Sequence, residues 1–361
     1  MNTTQLQPAN SQFIIPKTDH THQNFPVYDV PFEIIGNTIS KVPFKDKNED
    51  IQDLGKNFIE SNTKRVTLSH LTRDCVVPVF SKDNEITLSH QDFISTVYDA
   101  AQSVYRQETI SKPEVRVSHI IKGRTPEATH KPVDQLLDSD KTIYYERMAF
   151  CFDIPTIYDE VNGNKLNLTI GGVRAYNHEN LYNRKTYEKF KVFIGFKNLV
   201  CCNLCIMTDG YKSEIRAMGS NGLFLEAEKL FRRFPISRQI DSMKRLTNTF
   251  MDEHQFAQFL GKGRLYQVLP QKQKKHLPEL LMTDTQMNLV AKAYYQDKDF
   301  GVDQEQSTKQ ISMWNVYNLL TQANKMSYID QFLDRASNAT SISEGMSKAL
   351  RGDKEYSWFI Q

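Results

Sequence analysis

The sequence has no apolar run near the ~20 residues that a membrane-spanning helix requires. Its opening stretch, MNTTQLQPANSQ, is polar and lacks the apolar core of a secretory signal. Cysteine is scarce: five in 361 residues, an odd number, with Cys201, Cys202 and Cys205 crowded together. That distribution excludes a disulfide framework and predicts a protein of the reducing cytoplasm. Excess charge is missing too, since 45 Lys+Arg against 43 Asp+Glu leave a formal net charge of +2. No global field draws such a chain to nucleic acid or lipid, so any basic site must be local. Signatures of the G-x-S-x-G, Walker A, G-x-G-x-x-G and H-E-x-x-H kinds are absent, as are repeats and low-complexity tracts. No cofactor or catalytic residue is therefore expected.

What is present suffices for a real core. Hydrophobic content is 39%, and at roughly 100–200 residues per domain the length predicts one large or two modest domains. Residues 1–65, rich in Asn, Gln, Thr, Pro and charge, read as a loosely ordered or extended N-terminal arm. Residues 66–222 read as a mostly β core with one helix, and 223–361 as a helical C-terminal part.

Within the core, Val76–Phe80 and Glu85–Leu88 look like short strands. Ser89 with Asp92 three residues on predicts a capping box, followed by Phe93, Val97, Ala100, Ala101 and Val104 at helical spacing. Val115–Ile121, Thr142–Ile154 and Thr156–Val161 read as strands, with a long loop from Gly123 to Asp140. Asn162-Gly163 predicts a type I′ hairpin, because both central positions need positive φ. Gly171-Gly172 suggests a bulge or bend, and Asp209-Gly210 a second hairpin joining Cys202–Met207 to Lys212–Met218.

Beyond Gly222 the period becomes helical: Leu223–Phe234, then a longer helix from Ser237 with Ile240, Met243, Leu246, Phe250 and Phe256 inward. Met282–Asp297, Ser307–Lys325, Ser327–Ala336 and Ile342–Leu350 follow. Strands first and helices later predict an α+β fold: an antiparallel, hairpin-built sheet of five or six strands with a preceding helix and a helical C-terminal part.

The stretch from Lys165 to Arg216 carries nine Lys/Arg against four acids, interleaved with tyrosines and phenylalanines. Single-strand binders pair a cationic groove for phosphates with aromatic platforms for bases, each stack worth roughly 1–3 kcal/mol. On that pattern Arg174, Arg184, Lys185 and Lys189 are the candidate phosphate contacts, and Tyr176, Tyr182 and Tyr187 the candidate stacking residues. Lys191 is weaker, because its strand neighbours alternate inward. The competing reading is a solvated sheet edge, where lysines discourage edge pairing and aromatics serve the core. A second basic cluster, Lys262, Arg264, Lys272, Lys274 and Lys275, reads more readily as a solvated loop. The Cys201/Cys202/Cys205 group has C-x-x-C spacing but no second ligand pair to complete a zinc site, so no metal is expected.

Several dispersed motifs carry a family resemblance over residues 70–361. They are Val77-Pro78-Val79-Phe80, Leu88 to Phe93 (LSHQDF), Gly172 to Asn177 (GVRAYN), Phe193 to Asn203 (FIGFKNLVCCN), Trp314 to Asn318 (WNVYN) and Trp358-Phe359. In this order they resemble a domain-of-unknown-function family of phage/plasmid-like proteins, found on phages, conjugative elements and plasmids. The chain departs at Cys202-Asn203-Leu204, where the wider family shows Ser-Asn-Gly, so a glycine turn is missing. The resemblance implies DNA metabolism on mobile elements and supplies no catalytic residue. The element order is also similar to the β-β-β-α core of single-strand annealing proteins, a likeness of fold alone.

Together these observations predict a non-enzymatic single-stranded DNA-binding protein of a mobile element, strand-annealing and oligomeric, with no membrane partner. Two other classes stand beside it: a protein that blocks a host defence factor by contact, and a nuclease or nucleotide-modifying enzyme with dispersed carboxylates.

Overall fold

In a computed structural model of the chain, residues 56–75, 87–128, 130–178, 187–303 and 309–361 are described. The strand expected at Val76–Phe80, and residues 1–55 of the expected arm, lie outside them. Residues 51–361 cluster as one unit.

The described part begins with Phe58 and Ile59 already buried, and Lys64–Val66 (β1) joins the sheet edge. A short helix, Leu68–Arg73 (α1), follows. Ser89 then starts His90–Val104 (α2) with the expected capping box, its hydroxyl and the Asp92 carboxylate each taking the other residue's backbone N–H. Phe93, Ile94, Val97, Ala100 and Ala101 form its buried face.

Glu114–Arg124 (β2) leads through a connection of 3-10 turns to Lys141–Val161 (β3), one strand of 21 residues. Two strands were expected here. Pro155 lacks an N–H, so the ladder slips between Ile154 and Tyr158, but the chain stays extended. Asn162 and Gly163, at φ 51° and 73°, make the expected tight turn into Asn164–Ala175 (β4). Glu188–Asn198 (β5) pairs with β4, while Leu204–Cys205 (β6) and Tyr211–Ala217 (β7) both pair with β5. All seven strands are antiparallel.

Two turn expectations are corrected. The pairing of β4 runs unbroken through Gly171 and Gly172, so no bulge sits there. A Cβ on Gly171 would meet the Phe150 carbonyl oxygen at 2.1 Å, so the glycine permits close strand packing instead. Asp209-Gly210 does not close a hairpin either, since β6 and β7 do not pair with each other. A Cβ on Gly210 would lie 2.1 Å from the Ile194 carbonyl oxygen, and that close approach is what the position requires.

Alternation along the strands gives the sheet two faces. Phe150, Phe152, Ile170, Phe190, Val192 and Ile194 point to α2 and to Ser220–Arg233 (α3). Ala149, Cys151, Val173 and Phe193 point the other way, against Phe58, Ile59 and a late helix that supplies Ile329, Phe332, Leu333 and Ala336. Fully burying one such side chain contributes roughly 1.5–3 kcal/mol.

The expected long helix from Ser237 is two helices: Ile236–Thr247 (α4) and Glu253–Val268 (α5), separated by Phe250–Asp252 (β8). Asp252 and Gln255 form a capping box that restarts the helix, and Phe250 is exposed, not inward. Gln271–Lys274 (α6) and Asp284–Gln296 (α7) follow, the latter capped by Thr283. Gln310–Ser312 (β9) pairs with β8 and leads into Met313–Asn324 (α8). The two expected final helices are one, Ile329–Ala349 (α9). Its polar middle is held from outside: Asn338 bonds Glu279 and Leu281, and Thr340 donates to the Ile206 carbonyl. Tertiary contacts there override weak helix propensity.

Candidate nucleic-acid interface

The central basic and aromatic stretch runs along β4, β5 and β7, and strand alternation decides where each of its side chains goes. Arg174 is 1% exposed. Its guanidinium lies between the Tyr176 and Phe190 rings, at 4.5 and 4.6 Å, donates to the Leu88 carbonyl, and stands 3.5 Å from Glu188. Tyr176 is likewise buried, stacked on His90 with ring centroids 4.6 Å apart. Neither side chain is presented to solvent. Tyr182, Arg184 and Lys185 lie outside the described residues.

Tyr187 and Lys189 fare differently. Tyr187 is 51% exposed where β5 begins, and Lys189, two residues on, shares its side of the strand. Lys189 is paired in register with Arg216 on β7. A single carboxylate, Glu214, serves both: it lies 3.3 Å from Lys189 and accepts from Arg216. These bonds and the Lys189 and Arg216 charges hold the Glu214 carboxyl below the usual range. Exposed Lys212 has no ion-pair partner among the described residues. The rim thus carries Lys189 and Arg216 against one acid, with an aromatic at its end, whereas Lys212 lies beyond a register shift, paired with Val192.

Arg216 and Lys212 were not singled out from the sequence. The signal for Arg216 was there in β7, where Ile215 and Ala217 are buried while Glu214 and Arg216 face out; Lys212 lies beyond the shift in register. Lys191, by contrast, is neutralised by α9: its ammonium lies 2.6 Å from Asp334 and donates to the Asp330 carbonyl. Asp330 also meets His178 at 3.1 Å and Arg147 at 3.4 Å. In the second basic cluster Arg264 lies 2.7 Å from Asp284 and Lys262 and Lys274 lie over the Trp358 and Tyr266 rings, while Lys272 and Lys275 are exposed.

Two other polar groupings have chemistry-bearing residues. On the α9 side of the sheet, Lys197 lies 2.6 Å from Asp153, which accepts from Thr169 at 2.8 Å. Burial raises the nearby Glu114 carboxyl despite the cations around it. Burial alone would lower Lys197, but the surrounding acidic groups outweigh it and keep the ammonium charged. The carboxylate is closed by its own lysine and hydroxyl. At the sheet edge, His70 bonds Asp74 at 2.8 Å and Tyr145 at 2.9 Å, with the Cys75 sulfur 3.6 Å away. This has the outline of a nucleophile, base and orienting acid. Burial and the Asp74 charge push the Cys75 thiol up to about 12, however, which opposes formation of the thiolate. Among the described residues no group of three metal-ligating side chains converges, and no helix is long and apolar enough to cross a membrane.

The architecture is that of an α+β protein whose antiparallel sheet is covered by helices on both faces and bears a cationic, aromatic-tipped rim. The chain belongs to the family described as "Domain of unknown function, B. Theta Gene description (DUF3871)", whose model matches residues 47–360. No curated protein and no solved structure matches it.

Proposed function

We propose that the protein binds single-stranded DNA, as a cytoplasmic, oligomeric strand-annealing factor of a phage, plasmid or conjugative element. The observation that carries this reading is the rim, where exposed Tyr187 stands near Lys189 and Arg216 with one carboxylate between them. Cations track the phosphate backbone and the ring offers a face to a base, the combination that sequence-tolerant single-strand binding uses. Tyr182, Arg184 and Lys185, carried between His178 and Tyr187, add further groups of the same kinds. Arg174 and Tyr176 serve from inside, bracing the strand ends that bear the rim. The resemblance to phage/plasmid-like proteins and the strand-then-helix order favour a role in DNA metabolism.

Fluorescence anisotropy with labelled single- and double-stranded oligonucleotides at two salt concentrations tests the proposal. Preference for the single strand is expected, with affinity falling as salt rises because each neutralised phosphate releases counterion. Tyr187→Ala costs about 1–3 kcal/mol of binding, and Lys189→Ala with Arg216→Ala flattens the salt dependence. No binding at low salt overturns the reading.

One observation favours a second reading, a protein that blocks a host factor by contact. Val133 and Leu137 on the β2–β3 connection are 75% and 63% exposed, and Ile120, within β2, is 57% exposed. Exposed apolar side chains concentrated on one connection are a usual mark of a protein-binding surface.

A further inference from the structure

A cavity of about 240 Å³ opens between α4, the C-terminal part of α9 and the turn before β7. Arg245, in the last turn of α4, and Lys348, in the last turn of α9, both line it, as does Arg351 just beyond. None of the three has a carboxylate within ion-pair distance among the described residues, although Arg351 donates to the Ser347 carbonyl at 3.1 Å. A fourth cation on the wall, Arg238, is already matched by Asp209 at 3.5 Å.

The lining also includes acceptors. Gln239 is 1% exposed, and its Oε1 has no hydrogen-bond partner. Glu344 accepts from the Ser242 hydroxyl and lines the same space. A cation in the last turn of a helix needs no ligand, because it complements the helix dipole. Uncompensated cations from two helices around one cavity, over a buried amide oxygen left without a donor, are not accounted for that way. A buried polar atom without a partner costs about 1–3 kcal/mol.

We propose that this cavity binds a small phosphate ester bearing hydroxyl groups, a sugar phosphate in size and chemistry. The guanidinium groups of Arg245 and Arg351 and the Lys348 ammonium take the phosphate, as planar forks and a point charge suit its oxygens. Gln239 and Glu344 accept from the ligand's hydroxyls, which gives the orphaned amide oxygen its donor. The volume falls below the ~300–1,000 Å³ usual for larger ligands, so a pentose phosphate fits the size better than a whole dinucleotide. The site is separate from the rim and uses none of its residues.

Calorimetric titration of the full chain with ribose 5-phosphate, ribose and inorganic phosphate tests this. Saturable binding of ribose 5-phosphate is expected, at least about tenfold tighter than inorganic phosphate (about 1.4 kcal/mol), with no heat from ribose. Arg245→Ala and Lys348→Ala each lower that affinity about tenfold or more. Both side chains are exposed, so the variants keep the wild-type circular dichroism, and Lys229→Ala on α3 serves as an unchanged control. Absence of binding at millimolar ribose 5-phosphate, equal binding of inorganic phosphate, or unaltered affinity in both variants overturns the proposal. DNA binding at the rim is read by anisotropy with different variants, so either result leaves the other standing.

Discussion

The side chain of Asn203 donates to the backbone carbonyl of Asn318 at 3.1 Å, across 115 residues of sequence. Asn318 in turn accepts through Oδ1 from Asn198 at 3.3 Å and donates to the Trp314 carbonyl at 2.9 Å. Two motifs that stand far apart in the chain, FIGFKNLVCCN and WNVYN, therefore meet in one buried amide network that joins the end of β5 to α8. Asn318 is fully buried. Truncating it leaves donors without acceptors in a dry site, where each costs about 1–3 kcal/mol. Asn318→Ala is expected to lower unfolding stability by roughly 2–4 kcal/mol, read as a shift of the urea midpoint. A loss below 1 kcal/mol, within the range of ordinary surface changes, would refute the network's role.

The turn between these asparagines has a strained residue. Cys202 sits at φ 58°, and its N–H closes the turn on the Asn198 carbonyl at 2.7 Å. The left-handed position is thus Cys202, not Leu204, where the sequence motif lacks its glycine. That conformation costs roughly 1–2 kcal/mol for a residue with a Cβ. Cys202→Gly should therefore stabilise the protein by up to about 1 kcal/mol after the added chain entropy is subtracted. A lower melting temperature would count against this account of the turn.

Glycines at two positions should respond oppositely to alanine. At Gly171 the new Cβ meets the Phe150 carbonyl oxygen at 2.1 Å and the Cys151 Cα at 2.9 Å, both backbone, so nothing can step aside. Gly171→Ala is expected to cost about 3 kcal/mol or to prevent folding. At Gly222, in the first turn of α3, the nearest atom is the Ala217 Cβ at 3.5 Å, an ordinary contact. Gly222→Ala should gain roughly 0.5–1 kcal/mol from reduced unfolded-state entropy. Thermal unfolding of the pair decides, and equal effects would be incompatible with the strand packing described.

His90 predicts a pH dependence. Burial, with the Arg174 charge beside it, pushes its pKa from 6.5 down to about 3. Below pH about 6.5 the unfolded chain takes up a proton that the folded protein refuses, so stability falls as pH falls, by up to about 1.4 kcal/mol per pH unit until about pH 3. His90→Gln removes that titration while leaving an amide donor for the Tyr145 carbonyl, which His90 Nε2 reaches at 2.9 Å. Between pH 7 and 5 the variant should lose less stability than the wild type in chemical unfolding. Parallel losses would show that the imidazole titrates freely.

Local chemistry was legible wherever one residue type answers one backbone demand. Ser89 with Asp92 marked the start of α2, and Asn162-Gly163 the β3–β4 turn. Where several causes produce the same pattern, the reading failed. A glycine pair suits a bulge as well as close packing, and Gly171 and Gly172 turned out to be packing. Phe250 kept helical spacing with Met243 and Leu246, but the Asp252–Gln255 capping box, itself visible in the sequence, ended that period.

By itself the sequence determined the class: an antiparallel sheet followed by helices, set by alternation at period two giving way to period 3.6. It also localised the basic, aromatic stretch. Only the tertiary structure decided which of those side chains face water. Arg174 and Tyr176 are drawn inside by His90, Leu88 and Phe190, residues supplied by α2, its N-terminal flank and β5, while Lys189 and Arg216 come together through strand register. Burial is a property of what packs against a residue, and those partners come from elsewhere in the chain. The same reason hid the α4–α9 cavity, whose walls lie about a hundred residues apart in sequence and become neighbours only when the two helices pack.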